Sequence, residues 1–491
     1  MMTKSFCRLQ QMLLWCGVFL AYFLCWFQAQ ALPAGGVVQS GNTTITTTTG
    51  SSGFPVMNIT QSSSTTLINW TGFNIGQNET VNFSQPGATS VAWNFISDSG
   101  GSTISGNLNA NGLVILQDPN GFTVSGTASI NTHSLIMTTA ATPPGNFTAS
   151  GPWTFSAPAP SAKIVNLGQI TTAGNGGSIY LIASDIENSG TISAPNGNIG
   201  LCDGQTVMLS TSPNGLGLSA QVTLPAGSVN NQGKLIADAG SIIAQAQLIN
   251  QNGLIQANSA QNVNGTIELL ASGTLNLNAG STISAEGNSQ AAGGGGVTLA
   301  ATTALNNNGS VVADGSSITA TSVTVTQNGL LQANSLGNIN GAVAINATGA
   351  LNLQANSDIL ANGDPTATAA SPGGFVVLDA PNRVPTGYTD SSASRISVLG
   401  TDGGQNGIVE ILNRNHAISS TISSTYALLE SPTTLTLSTA ALSTTPSTVE
   451  NLPFSALLPY SDIYLYNIEV SSPWILADSA SPATLALTAM N

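Results

Sequence analysis

Beyond residue 31 the chain alternates small aliphatic side chains with Asn, Thr, Ser and Gly in short runs. Residues 43–47, 81–83, 179–182, 274–277 and 322–325 are examples. A period of two sends successive side chains to opposite faces of an extended strand, so each run predicts a half-buried strand. Asn-Gly, Asp-Gly and Gly-Gly steps separate the runs and mark turns. No stretch of twelve or more residues carries helical periodicity.

The runs repeat. Residues 231–287 and 307–363 align without gaps, with about half their positions identical. Asn252 to Gly265 (NGLIQANSAQNVNG) corresponds to Asn328 to Gly341 (NGLLQANSLGNING). Gly233, Ala237, Asp238 and Ser241 correspond to Gly309, Ala313, Asp314 and Ser317. A shorter unit recurs inside each copy: a polar residue, Gly, a spacer, then alternating aliphatics, as at Gly190, Gly233 and Gly253. Its frequent spacing of roughly 20–22 residues is one rung of a parallel β-helix, three short strands and three turns. The expected fold is all-β, a parallel solenoid whose rungs stack ~4.8 Å apart. Roughly twenty rungs would follow if that spacing held throughout. Such a rod needs covered ends, because open strand edges template aggregation.

Composition agrees. Of 491 residues only 6% are charged and 5% aromatic, and the 53 glycines show no Gly-X-Y period, which excludes collagen. Net charge is −14 with seven basic residues in all, so a phosphate-tracking groove is excluded and no nucleic-acid partner is expected. Lys4 and Arg8 precede an uncharged apolar run from residue 12 to 27, followed by Ala29-Gln30-Ala31. This is the pattern of a secretory signal peptide over residues 1–31, cleaved after Ala31 at an A-x-A site formed by Ala29 and Ala31. The mature chain then keeps Cys202 alone of the four cysteines and forms no internal disulfide.

The chain reads as four parts: the signal, residues 32–160 with most of the Trp and Phe, regular rungs over 161–380, and a β region or end cap over 381–491. Pro143-Pro144 and residues 157–160 mark the first break. Gly293 to Gly296 reads as a corner or protruding loop.

In the first part, Leu32-Pro33-x-Gly35-Gly36 is followed by Ile59-x-Gln61-Ser62. Then come Ile68-Asn69-Trp70, Phe73-Asn74-Ile75-Gly76 and Glu79-x-Val81-x-Phe83, and further on Ala110-Asn111-Gly112 and Asp118-Pro119-Asn120-Gly121-Phe122. In this order, directly after a signal, residues 32–140 resemble the N-terminal secretion domain of filamentous-haemagglutinin-type exoproteins of two-partner secretion systems. The remainder resembles haemagglutinin-type β-helix repeats more loosely. The resemblance implies a right-handed β-helix with an N-terminal cap. It implies export from a Gram-negative-type cell through a dedicated outer-membrane β-barrel transporter, with release outside or retention at the cell surface. It also implies an adhesin-like activity toward a receptor on a host or neighbouring cell. Asn69, Trp70, Phe73, Asn74, Gly76, Ala110, Asn111, Gly112, Asp118, Pro119, Asn120 and Gly121 are the candidate residues for the cap or for transporter recognition. The family's Asn-Pro-Asn-Gly turn falls on Asp118 to Gly121 with Asp in first place, and its Asn-Arg-Val segment is replaced around Asn94-Phe95-Ile96.

No catalytic residue, metal ligand or cofactor is expected. His133 and His416 are the two histidines and lie far apart in sequence, which leaves no triad or histidine metal cluster. Asp185, Asp203, Asp238 and Asp314 read as solvated turn residues, and Cys202 as a small core residue. The chain is expected to be a monomer and not an enzyme. A β-helical carbohydrate-active enzyme, or the stalk of a contact-dependent toxin, are the competing readings.

Overall fold

The computed structural model describes residues 32–424 apart from 142–150, 157, 175, 212–217, 260–262, 288–294, 338, 381–386 and 413–417; beyond these it describes the backbone of Tyr426–Glu430, Leu435–Thr439, Asp462–Leu465 and Ala486–Ala489. The signal region, with Ala29 and Ala31, lies outside the described residues, as do His416, Gly293 and Gly294. Among the described residues every regular element is a strand, and 36 strands join one sheet.

That sheet winds into a three-faced coil. Lys234–Ile236 lies on face one. Ser241–Gln251 then supplies face two with its first half and face three with its second, separated by a register shift between Ala246 and Leu248. Asn252-Gly253 turns the chain back to face one at Leu254–Gln256. Each strand pairs parallel with its counterpart one turn later. The repeat copies coincide with this winding: Ser241–Gln251 and Thr266–Leu277 have the same places as Ser317–Gln327 and Ala342–Leu353.

The core is a set of in-register columns. On face one, Met57, Val81, Leu108, Ile130, Ile170, Ile192, Leu235, Ile255, Ile283, Val311, Leu331, Ile359, Ile396 and Ile422 stack in fourteen consecutive rungs. Those rungs average about 28 residues, so the expected twenty rungs become fourteen among the described residues and a stack about 65 Å tall. Tight rungs do occur, as from Leu108 to Ile130. Insertions at the corners lengthen the others, notably residues 139–163 and 203–227.

Those two insertions build a second layer absent from the sequence expectation. Trp153–Ser156, Thr206–Thr211 and Leu218–Thr223 form a separate antiparallel sheet. It covers the outside of face two, where Trp93, Ile115, Ile136, Tyr180, Ile182 and Cys202 pack with Trp153, Phe155, Val207 and Leu209. The Tyr180 hydroxyl donates to Leu218 O (2.7 Å), as does Asn198 Nδ2 (2.7 Å). Burial on both sides explains why Ser178–Ile182 (SIYLI) and Asn198–Cys202 (NIGLC) are buried throughout instead of alternating.

The first rung is closed by antiparallel strands. Val37–Ser40 pairs with Thr65–Trp70, and Thr43–Thr49 with Pro55–Gln61. This supplies main-chain partners to an edge that would otherwise stay open. At the other end, Tyr426–Glu430 continues face two and then pairs antiparallel with Leu435–Thr439.

Some of the polar residues buried inside the coil are joined as a ladder. Asn166 Nδ2 donates to Asn188 (2.8 Å), Asn188 to Asn231 (2.7 Å) and Asn231 to Gln251 Oε1 (2.8 Å). In register above, Leu277 interrupts the column, Asn307 and Gln327 resume it (2.9 Å), and Leu353 interrupts it again. At the adjoining corner Gly190, Gly233 and Gly253 stack so closely that a Cβ on any of them would strike the carbonyl of the glycine one rung below. Asn188→Ala removes one amide and leaves Asn166 and Asn231 each short of a partner. We expect a loss of about 1–3 kcal/mol in urea unfolding, without loss of the β-sheet circular-dichroism signal.

Candidate functional site

The candidate residues occupy the first three rungs of the capped end. Trp70 ends a face-two strand, Phe73 begins face three, and both are buried in the core with their rings edge to face at 5.4 Å. Trp70 Nε1 donates to Asn94 Oδ1 (2.9 Å), and Asn94 Nδ2 donates to Ala92 O and Ile115 O. Asn94 is fully buried and ties three rungs together. The sequence flagged its segment only as a departure from the family pattern; the short polar residue within VAWNFI was the available sign of its structural part.

Asn69 is half-buried, opposite Val37 of the cap on one side and Phe95 on the other. Asn74 accepts from the Thr103 amide (2.7 Å). The Gly76 amide donates to Glu79 (2.7 Å), and a Cβ at Gly76 would press on that buried carboxylate. Ala110 is buried on face one. Asn111, at the next corner, is exposed and grips Gln85 twice, accepting from its amide (2.7 Å) and donating to its carbonyl (2.8 Å). Gly112 has no room for a Cβ against Gln85 and Gly87.

Asp118 to Gly121 form the corner between faces two and three. The Gly121 amide closes the turn on Asp118 O (3.1 Å) with Gly121 at φ 102°. The Asp118 carboxylate accepts from Ser102 Oγ (2.7 Å) and the Asn120 amide (2.9 Å). It is nevertheless fully buried, and burial pushes its pKa up to about 6. Pro119 and Asn120 face outward, and Asn120 Nδ2 reaches Asp98 O (2.6 Å).

The candidates therefore divide. Trp70, Phe73, Ala110, Gly112, Asp118 and Gly121 are interior, while Asn69, Asn74, Gly76, Asn111, Pro119 and Asn120 retain surface. The surface group lies on different corners and faces and does not converge on one point. Beside Asn111, a shallow groove of about 440 Å³ is floored by a ladder of Asn58, Asn82 and Asn109.

Cys202 is fully buried, and desolvation pushes its thiol up to about 12, far from a reactive thiolate. His133 sits half-buried at a corner. Asp238 accepts from Gln256 and the Asn258 amide, and Asp314 likewise from Gln332 and the Asn334 amide, so these two fasten corners. Asp203 departs from the solvated-turn expectation: it is buried where the second-layer hairpin leaves the rod, and desolvation, reinforced by Asp185, pushes it up to about 7. Among the described residues no cluster of three or more His, Cys, Asp or Glu is placed to hold a metal.

The fold is thus a stacked parallel coil with an antiparallel cap and a side sheet. The TPS secretion domain model matches residues 29–285, more than half the chain and well beyond residue 140, and the chain belongs to that two-partner secretion family. The crystal structure of the HMW1 secretion domain from Haemophilus influenzae superposes with a TM-score of 0.57 at 23% identity, covering 81% of this chain and all of that one, and the shared fold is the right-handed β-helix. A heme/hemopexin-binding protein of H. influenzae is 30% identical over 271 residues, which are 52% of this chain and 29% of that protein. A second H. influenzae protein of that name is 42% identical over 83 residues, 17% of this chain and 9% of that one. The matches thus span less than a third of the curated relatives' length.

The two buried carboxylates make stability fall with rising pH. An unfolded Asp titrates near 3.9. The folded chain holds more protons than the unfolded chain from about pH 4 to 6 at Asp118 and to about 7 at Asp203. The stability each contributes is full below that window and declines through it, by on the order of a few kcal/mol each. Asp118→Asn, which restores the family residue, should flatten the lower part of this profile in urea unfolding followed from pH 4 to 8. A profile unchanged by the substitution contradicts the assignment.

Proposed function

We propose that this chain is a non-catalytic adhesive exoprotein: an outer-membrane β-barrel transporter exports it by engaging the capped end, and the coil beyond presents a binding surface to another cell. The observation that carries the export half is the family match lying on the capped end and the rungs next to it. The partner is the transporter cognate to this chain. Asn69, Asn74, Gly76, Asn111, Pro119 and Asn120 are the candidate residues it can reach without unfolding the cap.

The chemistry of the chain suits passage through a narrow pore. With one cysteine after residue 31 it forms no internal disulfide, and 6% charged residues leave few ions to desolvate. Each emerging rung finds its partner in the rung already folded, so stacking biases movement outward. The adhesive half rests on the family and on the long solvent-facing polar surfaces of the coil.

Co-expression with the cognate transporter tests the export half. Deleting residues 32–140 should abolish appearance of the chain in the medium and leave it in the periplasm. Asn111→Ala combined with Asn120→Ala should lower export several-fold while the chain recovered from the periplasm stays protease-resistant. Export of the deletion variant at the normal level would defeat the proposal.

A further inference from the structure

We propose that the outer side of face three, between residues 228 and 353, is a binding surface for a neutral, linear glycan laid along the rod axis. The inference rests on the adhesive reading and names the class of ligand.

Asn230, Asn250, Asn276 and Asn306 stack in register on this surface, half-buried. Their side chains form one polarised ladder: Asn250 Nδ2 donates to Asn230 Oδ1 (2.7 Å), Asn276 to Asn250 (2.8 Å) and Asn306 to Asn276 (2.9 Å). Thr326 and Asn352 continue the column. At the corner just past the strand ends stand two further pairs, in which Asn278 donates to Asn252 (2.8 Å) and Asn328 to Asn308 (3.0 Å).

A primary amide offers two N–H donors and two lone pairs. A ladder bond uses one of each, so every rung still presents a donor and an acceptor to solvent. The result is a column of amides ~4.8 Å apart along the axis of the face, with further amides beside it at the corner. Hydroxyl groups, each donor and acceptor at once, match that column. The axial spacing is close to the advance per sugar of an extended chain.

Charge selects among polymers. The six strand segments of this face, 228–231, 248–251, 274–277, 304–307, 324–327 and 350–353, contain no charged residue in a protein of net charge −14. Glu187, one rung below, is ion-paired with Lys163 (2.9 Å); Asp185 also stands one rung below and Asp390 one rung above. Asp185 and Asp390 bracket the column and repel an anionic chain, while within these strand segments no cation is present to recruit one. A neutral polymer meets neither penalty.

The test uses the full chain and neutral hexaoses of β-linked glucose and of mannose, with an oligogalacturonate as the anionic probe, followed by calorimetry and saturation-transfer NMR. Wild type should bind a neutral hexaose and not the oligogalacturonate. Asn250→Thr with Asn276→Thr should weaken binding at least fivefold; Thr326 already occupies this column, so Thr is accommodated. Asn252→Ser with Asn278→Ser, at the corner, provides an independent reading should the first variant unfold. Absence of hexaose binding to wild type, or equal binding by both folded variants, overturns the proposal. Attachment to whole cells separates the two claims: attachment unchanged in both variants removes this surface but keeps the adhesive reading, whereas a wild type that binds hexaose without attaching to cells keeps the surface and removes that reading.

Discussion

Everything in this protein depends on main-chain pairing between one rung and the next. A β-strand has two edges lined with donors and acceptors, and a strand within the coil satisfies both by lying between its neighbours above and below. The arrangement forces like onto like. Ile stacks on Ile, Gly on Gly and Asn on Asn, because in-register pairing places equivalent positions ~4.8 Å apart. Asymmetry appears only where the stack begins, at corners where chain is inserted, and where the stack ends.

The capped end shows how that constraint shapes the candidate site. The first rung has no predecessor, so Val37–Ser40 supplies one in antiparallel sense. Trp70 and Phe73 fill the space beside it, and Asn94 receives the Trp70 indole while holding two further rungs. Residues that identify the family are therefore largely residues that make a stack possible to start. Transporter recognition is left to the polar groups remaining outside, on corners whose geometry the interior has already set.

Polar groups appear in three settings with different consequences. Inside the coil the Asn166 to Gln251 ladder closes on itself, and each of its members is needed by the next. Outside, the Asn230 to Asn306 ladder leaves half of its capacity facing water. Buried carboxylates are a third case. Asp118 and Asp203 sit at corners where chain leaves face two, and their elevated pKa values set a strain that grows toward neutral pH.

The sequence by itself determined the coil. Alternating runs, Asn-Gly turns and the internal duplication specify strands, corners and a parallel stack, since a period of two and a repeated rung allow few other ways to bury Ile192, Leu235 and Ile255. It also marked the capped end, through residues whose order is distinctive. The number of rungs was not legible, because inserted corners carry no periodicity from which a rung is counted. Nor was the side sheet, although the apolar Tyr180, Ile182 and Cys202 at outward-facing positions were its trace. Only the tertiary structure decided that Trp153 and Phe155 lie over Trp93 and Ile136, that Asp203 is buried, and that the candidate residues spread over several corners. Those outcomes depend on contacts between segments distant in the chain, and local pattern records which side chains are apolar without recording what will cover them.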